Sequence, residues 1–173
     1  EVIKVDTRKE QIADITTIRL KDKVYPFYMN LCYRTYPDAD IIETWTEITH
    51  EEKKAITLNR FASAHLPIRK GDVWVSHLYG SWANEAQLAQ EPLRPGIKMI
   101  KNKDGIRNSH TAHAEVMISL DGKPKENTGS VIGAALCYSG NYKLFFDTDD
   151  SDYHHFFAGI NEENSAYTLK AKE

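Results

Sequence analysis

Long apolar runs are missing from this chain. Nothing in it approaches the roughly 20 consecutive apolar residues that a membrane-spanning helix needs, so a helical membrane span is excluded. Cysteine is scarce: Cys32 and Cys137 lie far apart and outside any C-x-x-C pattern. That argues for buried thiols over a redox or zinc pair, and leaves a disulfide between them open. An excess of one charge is missing too, with 22 Lys and Arg scattered among 25 Asp and Glu for a net charge of −3. Such a surface offers no footprint for a phosphate backbone, and neither nucleic acid nor membrane is expected as a partner. No P-loop or G-x-G-x-x-G occurs, so no nucleotide is expected, and no cofactor or metal.

What is present suits a soluble globular chain: 173 residues, 41% hydrophobic and 27% charged, enough for one domain over residues 1–173 with a real core. Residue 1 is Glu, and no basic, apolar and small-residue leader precedes the first strand. The chain therefore reads as a processed or excised piece; it is expected to be soluble, with the choice between cytoplasm and periplasm left open.

Period two is the most regular signal. Tyr25, Phe27, Met29, Leu31 and Tyr33 alternate with Pro26, Tyr28, Asn30, Cys32 and Arg34, which predicts a half-buried strand. Val116, Ile118 and Leu120 repeat the pattern, as do Ile56 and Leu58, and Leu144 and Phe146. Turn signals separate them at Pro37-Asp38, Lys70-Gly71-Asp72, Pro95-Gly96, Lys103-Asp104-Gly105, Asp121-Gly122-Lys123-Pro124 and Ser139-Gly140-Asn141. Short strands joined by polar turns predict an all-β fold, an antiparallel β-sandwich. One stretch resists: Trp82 to Gln90, WANEAQLAQ, is rich in helix formers, and propensity alone predicts a helix there.

Candidate chemistry is thin. Glu43 and Glu47 share a strand face, but four residues of strand separate their Cα atoms by roughly 13 Å. A retaining glycosidase needs its two carboxyl groups about 5–5.5 Å apart, so a solvated face is expected. The acidic run Asp147 to Asp152 lacks the glycine and closing glutamate of a calcium loop and is expected to be a surface turn. His154 and His155, adjacent on a strand, point to opposite faces, one to the core and one to solvent, and cannot share a metal. The same geometry denies Ser76-His77 and Ser109-His110 a nucleophile's arrangement. The aromatic residues Trp45, Trp74, Tyr79, Trp82, Tyr138 and Tyr142 offer flat faces for a sugar ring, with core packing as the competing use.

Several motifs taken together are specific. Ser76 to Gly96, SHLYGSWANEAQLAQEPLRPG, contains Gly80-Ser81-Trp82 followed by Glu85, Pro92, Leu93 and Gly96. Tyr33 to Trp45, His65-Leu66-Pro67, Tyr138-Ser139-Gly140-Asn141 and Gly159-Ile160-Asn161 extend the pattern over most of the chain. This set resembles the amino-terminal, non-catalytic domain of family 36 glycoside hydrolases, the α-galactosidases. The segment Gly105 to Ala114 departs from it, keeping Ser109-His110 but losing an N-P-F, and the F-x-W after Asn161 is replaced. The resemblance implies a supersandwich of the galactose-mutarotase type, with strand instead of helix over Trp82 to Gln90. It implies a parent enzyme that hydrolyses terminal α-galactosyl residues of melibiose- or raffinose-like sugars by a retaining mechanism. The catalytic carboxylates would belong to a carboxy-terminal barrel of the same polypeptide, whose K-W-D-x-N motif does not occur in these residues. No catalytic residue is expected here. Trp74, Trp82, Ser109 and His110 are the expected contacts to a galactoside substrate, and the full-length enzyme is expected to be a homo-oligomer. Two alternatives stand beside this one: a free-standing carbohydrate-binding module, and an aldose epimerase using histidine and glutamate.

Overall fold

A computed structural model describes residues 1–173 apart from Lys70, Asn108, Asn164 and Ser165. The Lys70 part of one predicted turn and the Asn108 of the Gly105 to Ala114 segment therefore lie outside the described residues. In chain order the strands are β1 (Val2–Lys9), β2 (Asp14–Lys21), β3 (Phe27–Tyr36), β4 (Ile41–His50), β5 (Ile56–Leu58), β6 (Ala64–Ile68) and β7 (Trp74–Ser81). There follow β8 (Asn84–Pro92), β9 (Gly96–Lys101), β10 (Ala112–Ser119), β11 (Val131–Ala135), β12 (Tyr142–Thr148), β13 (His154–Ile160) and β14 (Tyr167–Leu169). Among the described residues the helical structure is a single 3-10 turn, Pro37–Ala39, and no helix is long and apolar enough to cross a membrane. The described strand pairings are antiparallel, as the alternation predicts. The chain divides into two compact units, Glu1–Ala64 with Ser165–Glu173, and His65–Asn164.

In the first unit β1, β2, β3 and β4 form a meander in that order, and β5 pairs with β14. The alternating segment begins at Phe27, not Tyr25. The Asp22 carboxylate accepts the N–H groups of Val24 and Tyr25 at 2.8 and 2.9 Å, which makes a turn and holds Asp22 below the usual carboxylate range. Pro26 then has no N–H to offer a ladder. Residues directly opposite on β3 and β4 form polar pairs: Asn30 donates to Glu47 at 2.9 Å, and Arg34 to Glu43 at 3.2 Å. His50, at the end of β4 and 1% exposed, accepts the Glu52 N–H on Nδ1. Its Nε2 therefore carries the proton and donates to the Lys170 carbonyl at 2.7 Å.

The second unit has two four-stranded sheets, β11-β10-β7-β8 and β6-β13-β12-β9. Their inner faces carry the apolar half of each alternation: Val75, Val116 and Ile118 from one, Ile100, Leu144, Phe146 and Phe156 from the other, each at most 4% exposed. Burying such side chains contributes about 1.5–3 kcal/mol apiece, enough to commit the register of β7, β9, β10, β12 and β13, since a one-residue slip would turn this set to water. His154 faces the core, hydrogen-bonded to Thr148, while His155 is half-buried on the other face, as adjacency on a strand requires. Cys32 is buried and Cys137 exposed, both as free thiols. The expectation of burial fails for Cys137, which lies past the end of β11 in the loop leading to β12.

Asn84 to Gln90 is strand, reached through a turn at Trp82-Ala83, and the helix predicted from propensity over Trp82 to Gln90 does not form. Pairing with β7 on one side overrides an intrinsic preference worth only tenths of a kcal/mol per residue. A bulge near Gly80 shifts the register between Tyr79 and Ser81. A Cβ on Gly80 would sit 2.8 Å from the Asn84 carbonyl oxygen and from the Glu85 Cα, so the bulge requires glycine there.

Candidate functional site

One end of the second unit gathers most of the residues of interest. β7 runs out to the Trp82-Ala83 hairpin, and Ala112, the first residue of β10, pairs with Tyr79. In the other sheet β9 ends at Lys101, opposite Lys143 near the start of β12, and Tyr142 pairs with Ile160 at the end of β13. The segment from Asn102 to Thr111 joins β9 to β10 and so crosses from sheet to sheet at this end. Trp82, Ser109 and His110 all belong here.

Trp82 is 83% exposed on a tip that is itself well braced. Ala83, with a left-handed φ of 59°, donates its N–H to Glu85 Oε1 at 3.0 Å, and Gly80 donates to the Thr111 carbonyl at 3.1 Å. The spacing G-x-W-x-x-E thus acquires a physical reading: glycine for the bulge, glutamate to hold the turn, tryptophan held outward. Ser109 is exposed and His110 half-buried, with its Nε2 shielded from solvent and lacking a partner among the described residues. Trp74 stands apart, eight residues down β7 and therefore roughly 26 Å from Trp82. Its indole donates to Asp72 at 3.2 Å, and the Lys123 ammonium lies 5.9 Å from its ring centre.

Three asparagines hold the crossing segment. Asn102, 1% exposed, donates from Nδ2 to the carbonyls of Gly105 and Gly140 and accepts the Asp104 N–H on Oδ1. Asn141 Oδ1 accepts the Gly105 N–H at 2.8 Å. Asn161 donates from Nδ2 to the Asn102 carbonyl at 3.0 Å and accepts the Glu163 N–H at 3.0 Å. Tyr138 packs over Gly140, where a Cβ would lie 2.7 Å from the phenol oxygen. The Y-S-G-N and G-I-N motifs are therefore loop-bracing devices.

The carboxylates do not form a hydrolytic pair. Glu47 accepts from Asn30 and the Trp45 indole, which together hold it below the usual carboxylate range, and Glu43 accepts from Arg34 and Tyr36. In the acidic run, Asp149 accepts the N–H groups of Ser151 and Tyr153 and closes a turn. Ser76 and His77 diverge, Ser76 accepting from Gln90 while His77 lies toward Glu91.

A cluster escaped the sequence reading. Glu91 Oε1 lies 2.6 Å from Lys98 Nζ and 3.6 Å from His77 Nε2. Its signal was available in the alternation, which puts His77 on the face of Val75 and Lys98 on that of Ile100, but the pairing of β7 with β8 was needed to bring Glu91 in. Burial, aided by the Lys98 ammonium, pushes the His77 imidazole below its usual range against the pull of Glu91. The closer lysine holds the carboxylate, so the imidazole remains neutral and the 3.6 Å contact is not an ion pair near neutral pH. Glu91 is the one carboxylate of this cluster, whereas a two-carboxylate hydrolysis needs a pair.

The described strand pairings are antiparallel, and they carry outward aromatic and polar loops on a braced β framework. Residues 5–170 match the glycosyl hydrolase family 36 N-terminal domain, and the chain belongs to that family. It is 29% identical to the α-galactosidase Mel36A of Lactobacillus acidophilus over 96% of its own length and 22% of that protein's. It is 28% identical to the bifunctional α-galactosidase/sucrose kinase AgaSK of Mediterraneibacter gnavus, over 95% of the chain and 17% of that protein. Among solved structures, the family 36 α-galactosidase AgaA of Geobacillus stearothermophilus superposes with a TM-score of 0.89 at 22% identity, over 99% of this chain and 24% of that one, a likeness of fold. The chain thus spans about a fifth of the length of the curated relatives it matches.

Replacing Asn161 by alanine strands the buried Asn102 carbonyl and the Glu163 N–H, so a loss of about 1–3 kcal/mol is expected. Urea denaturation reads that loss, and faster amide exchange at Glu163 localises it. On unfolding, His77 regains an ordinary pKa near 6.5. Below that pH the unfolded chain binds a proton that the folded chain refuses, so stability present above it is lost as acid is added. His77→Gln is expected to shrink the fall in urea midpoint between about pH 7.5 and 5.5; an undiminished fall would place the loss elsewhere.

Proposed function

We propose that this chain is the non-catalytic amino-terminal β-sandwich portion of a retaining α-galactosidase that acts on terminal α-galactosyl residues of melibiose- or raffinose-type sugars. A carboxy-terminal barrel of the same polypeptide carries the catalytic carboxylates, and the assembled enzyme is a homo-oligomer. The observation that carries this reading is the family match over residues 5–170, in a chain that spans about a fifth of relatives named α-galactosidases. Consistent with it, Glu43 and Glu47 are already engaged by neighbouring donors.

The end bearing Trp82, Ser109 and His110 is the part of this domain that reaches toward a galactoside at the rim of an active site. Trp74, at the other end of β7, is engaged by Asp72 and Lys123 and lies apart from that end. A free-standing carbohydrate-binding module is the second reading, favoured by the exposure of Trp82 on a braced tip. The aldose epimerase has less support, since Lys98 holds the glutamate nearest His77.

The isolated chain is expected to release no nitrophenol from a nitrophenyl α-galactoside, while the full-length protein does so readily; turnover by the chain alone would end the proposal. Calorimetry of the chain with galactose, melibiose and raffinose is expected to be flat, and binding abolished by Trp82→Ala would favour the module instead. In the full-length enzyme, Trp82→Ala is expected to raise KM for raffinose about five-fold, the loss of one ring contact worth about 1 kcal/mol, with the melting temperature unchanged.

A further inference from the structure

We propose that His65 and His155 form a two-imidazole site for a late first-row divalent transition ion, Cu2+, Ni2+ or Zn2+, on the outer face of β6 and β13. The two residues are far apart in the chain, and neither belongs to a spaced metal motif, so the site exists only through the fold. His65 Nε2 lies 3.0 Å from His155 Nδ1. Metal–imidazole bonds of about 2.0–2.1 Å put two ligand nitrogens about 2.9 Å apart at a right-angled corner and about 3.3 Å apart at a tetrahedral one. The observed separation falls between these.

The rings are already held. His65 stacks on Phe157 with centroids 4.5 Å apart and planes 12° from parallel, and Phe157 stacks on Phe145 at 4.6 Å and 10°. These spacings match the separation of neighbouring strands, about 4.7–4.9 Å, so the stack runs from β6 across β13 to β12. Rings stacked in that direction turn their edges, not their faces, to solvent. A sugar needs a face, whereas a metal needs the edge, where the imidazole nitrogens are. Fixing the ring plane beforehand removes part of the ordering cost of binding.

At present the two nitrogens share one hydrogen. When a metal enters, the ring that carries that hydrogen transfers it to its other nitrogen, so two neutral imidazoles become two donors with no net proton release. Asp147 pairs with His155 across β13 and β12 and is exposed on the same face, adding a favourable negative charge. The Lys143 ammonium on that face is paired with Glu162. Among the described residues no set of three His, Cys, Asp or Glu side chains is placed to hold a metal, so water fills the remaining positions. Two neutral nitrogen donors select ions in the order Cu2+ above Ni2+ and Zn2+, and disfavour Mg2+ and Ca2+.

The test is calorimetric titration of the 173-residue chain with the chlorides of copper, nickel, zinc, magnesium and calcium, with copper paramagnetic resonance alongside. One equivalent of Cu2+ is expected to bind with a spectrum showing two imidazole nitrogens, and magnesium and calcium are expected to give no heat. His65→Asn and His155→Asn are each expected to weaken binding by more than about ten-fold, since losing a ligand exceeds losing one of its outer partners. Circular dichroism establishes that both variants fold, and the two-nitrogen signature of the unaltered chain is independent of any variant. Copper binding of equal strength in all three proteins, or a spectrum without two imidazole nitrogens, would overturn the proposal.

Discussion

Backbone buried between two sheets must find hydrogen bonds, and where the strands stop the sheets can no longer supply them. In the second unit that shortage falls on the crossing from β9 to β10, and the side chains of Asn102, Asn141 and Asn161 meet it. An asparagine side chain carries a donor and an acceptor with the chemistry of a peptide, so each one stands in for a missing strand neighbour. These bonds hold the start of the segment that leads to Ser109 and His110, and Thr111 accepts from Gly80 at the base of the Trp82 hairpin. Aspartate at these positions would bring no donor and would bury a charge.

Alternation made most of the strands legible, because one buried face per strand is a strong constraint on sequence: β3, β10 and β12 fall where Leu31, Val116 and Phe146 recur at period two. What stayed hidden depends on neighbours supplied by the fold. The Trp82 to Gln90 stretch carries a helical composition and forms a strand because β7 offers it a ladder. Glu91 came to Lys98 and His77 through sheet pairing and packing, and no spacing in the sequence announces it. His65 and His155 meet in the same way. Of the expected contact residues, the topology collects Trp82, Ser109 and His110 and sends Trp74 to the far end. A strand of eight residues is long enough to separate two tryptophans that the sequence shows almost together.

The family motifs gain a physical content that is independent of any relative. Gly80 is required by the close approach of the β8 backbone, and Gly140 leaves room for the Tyr138 ring. Glu85 holds a turn, and Asn141 and Asn161 hold a loop. Each is a device of shape, and chemistry at a sugar bond asks for none of them. A segment whose recurring residues serve only shape is scaffolding for whatever it presents, and here it presents a tryptophan.

Catalytic carboxylates need freedom as well as proximity, since one must carry a proton and the other attack or activate water. Hydrogen bonds to the ionised form lower the pKa and so oppose the proton-carrying role. Glu47 is committed to Asn30 and Trp45, Glu163 to Lys101 and Lys103, and both are held below the usual carboxylate range. Glu91 is committed to Lys98 and Asp149 to its own turn. Glu47 and Glu163, held toward the ionised form, fix local geometry and are unsuited to donate a proton. That engagement agrees with the division of labour proposed for the parent enzyme, in which the proton donor to the glycosidic bond is held elsewhere.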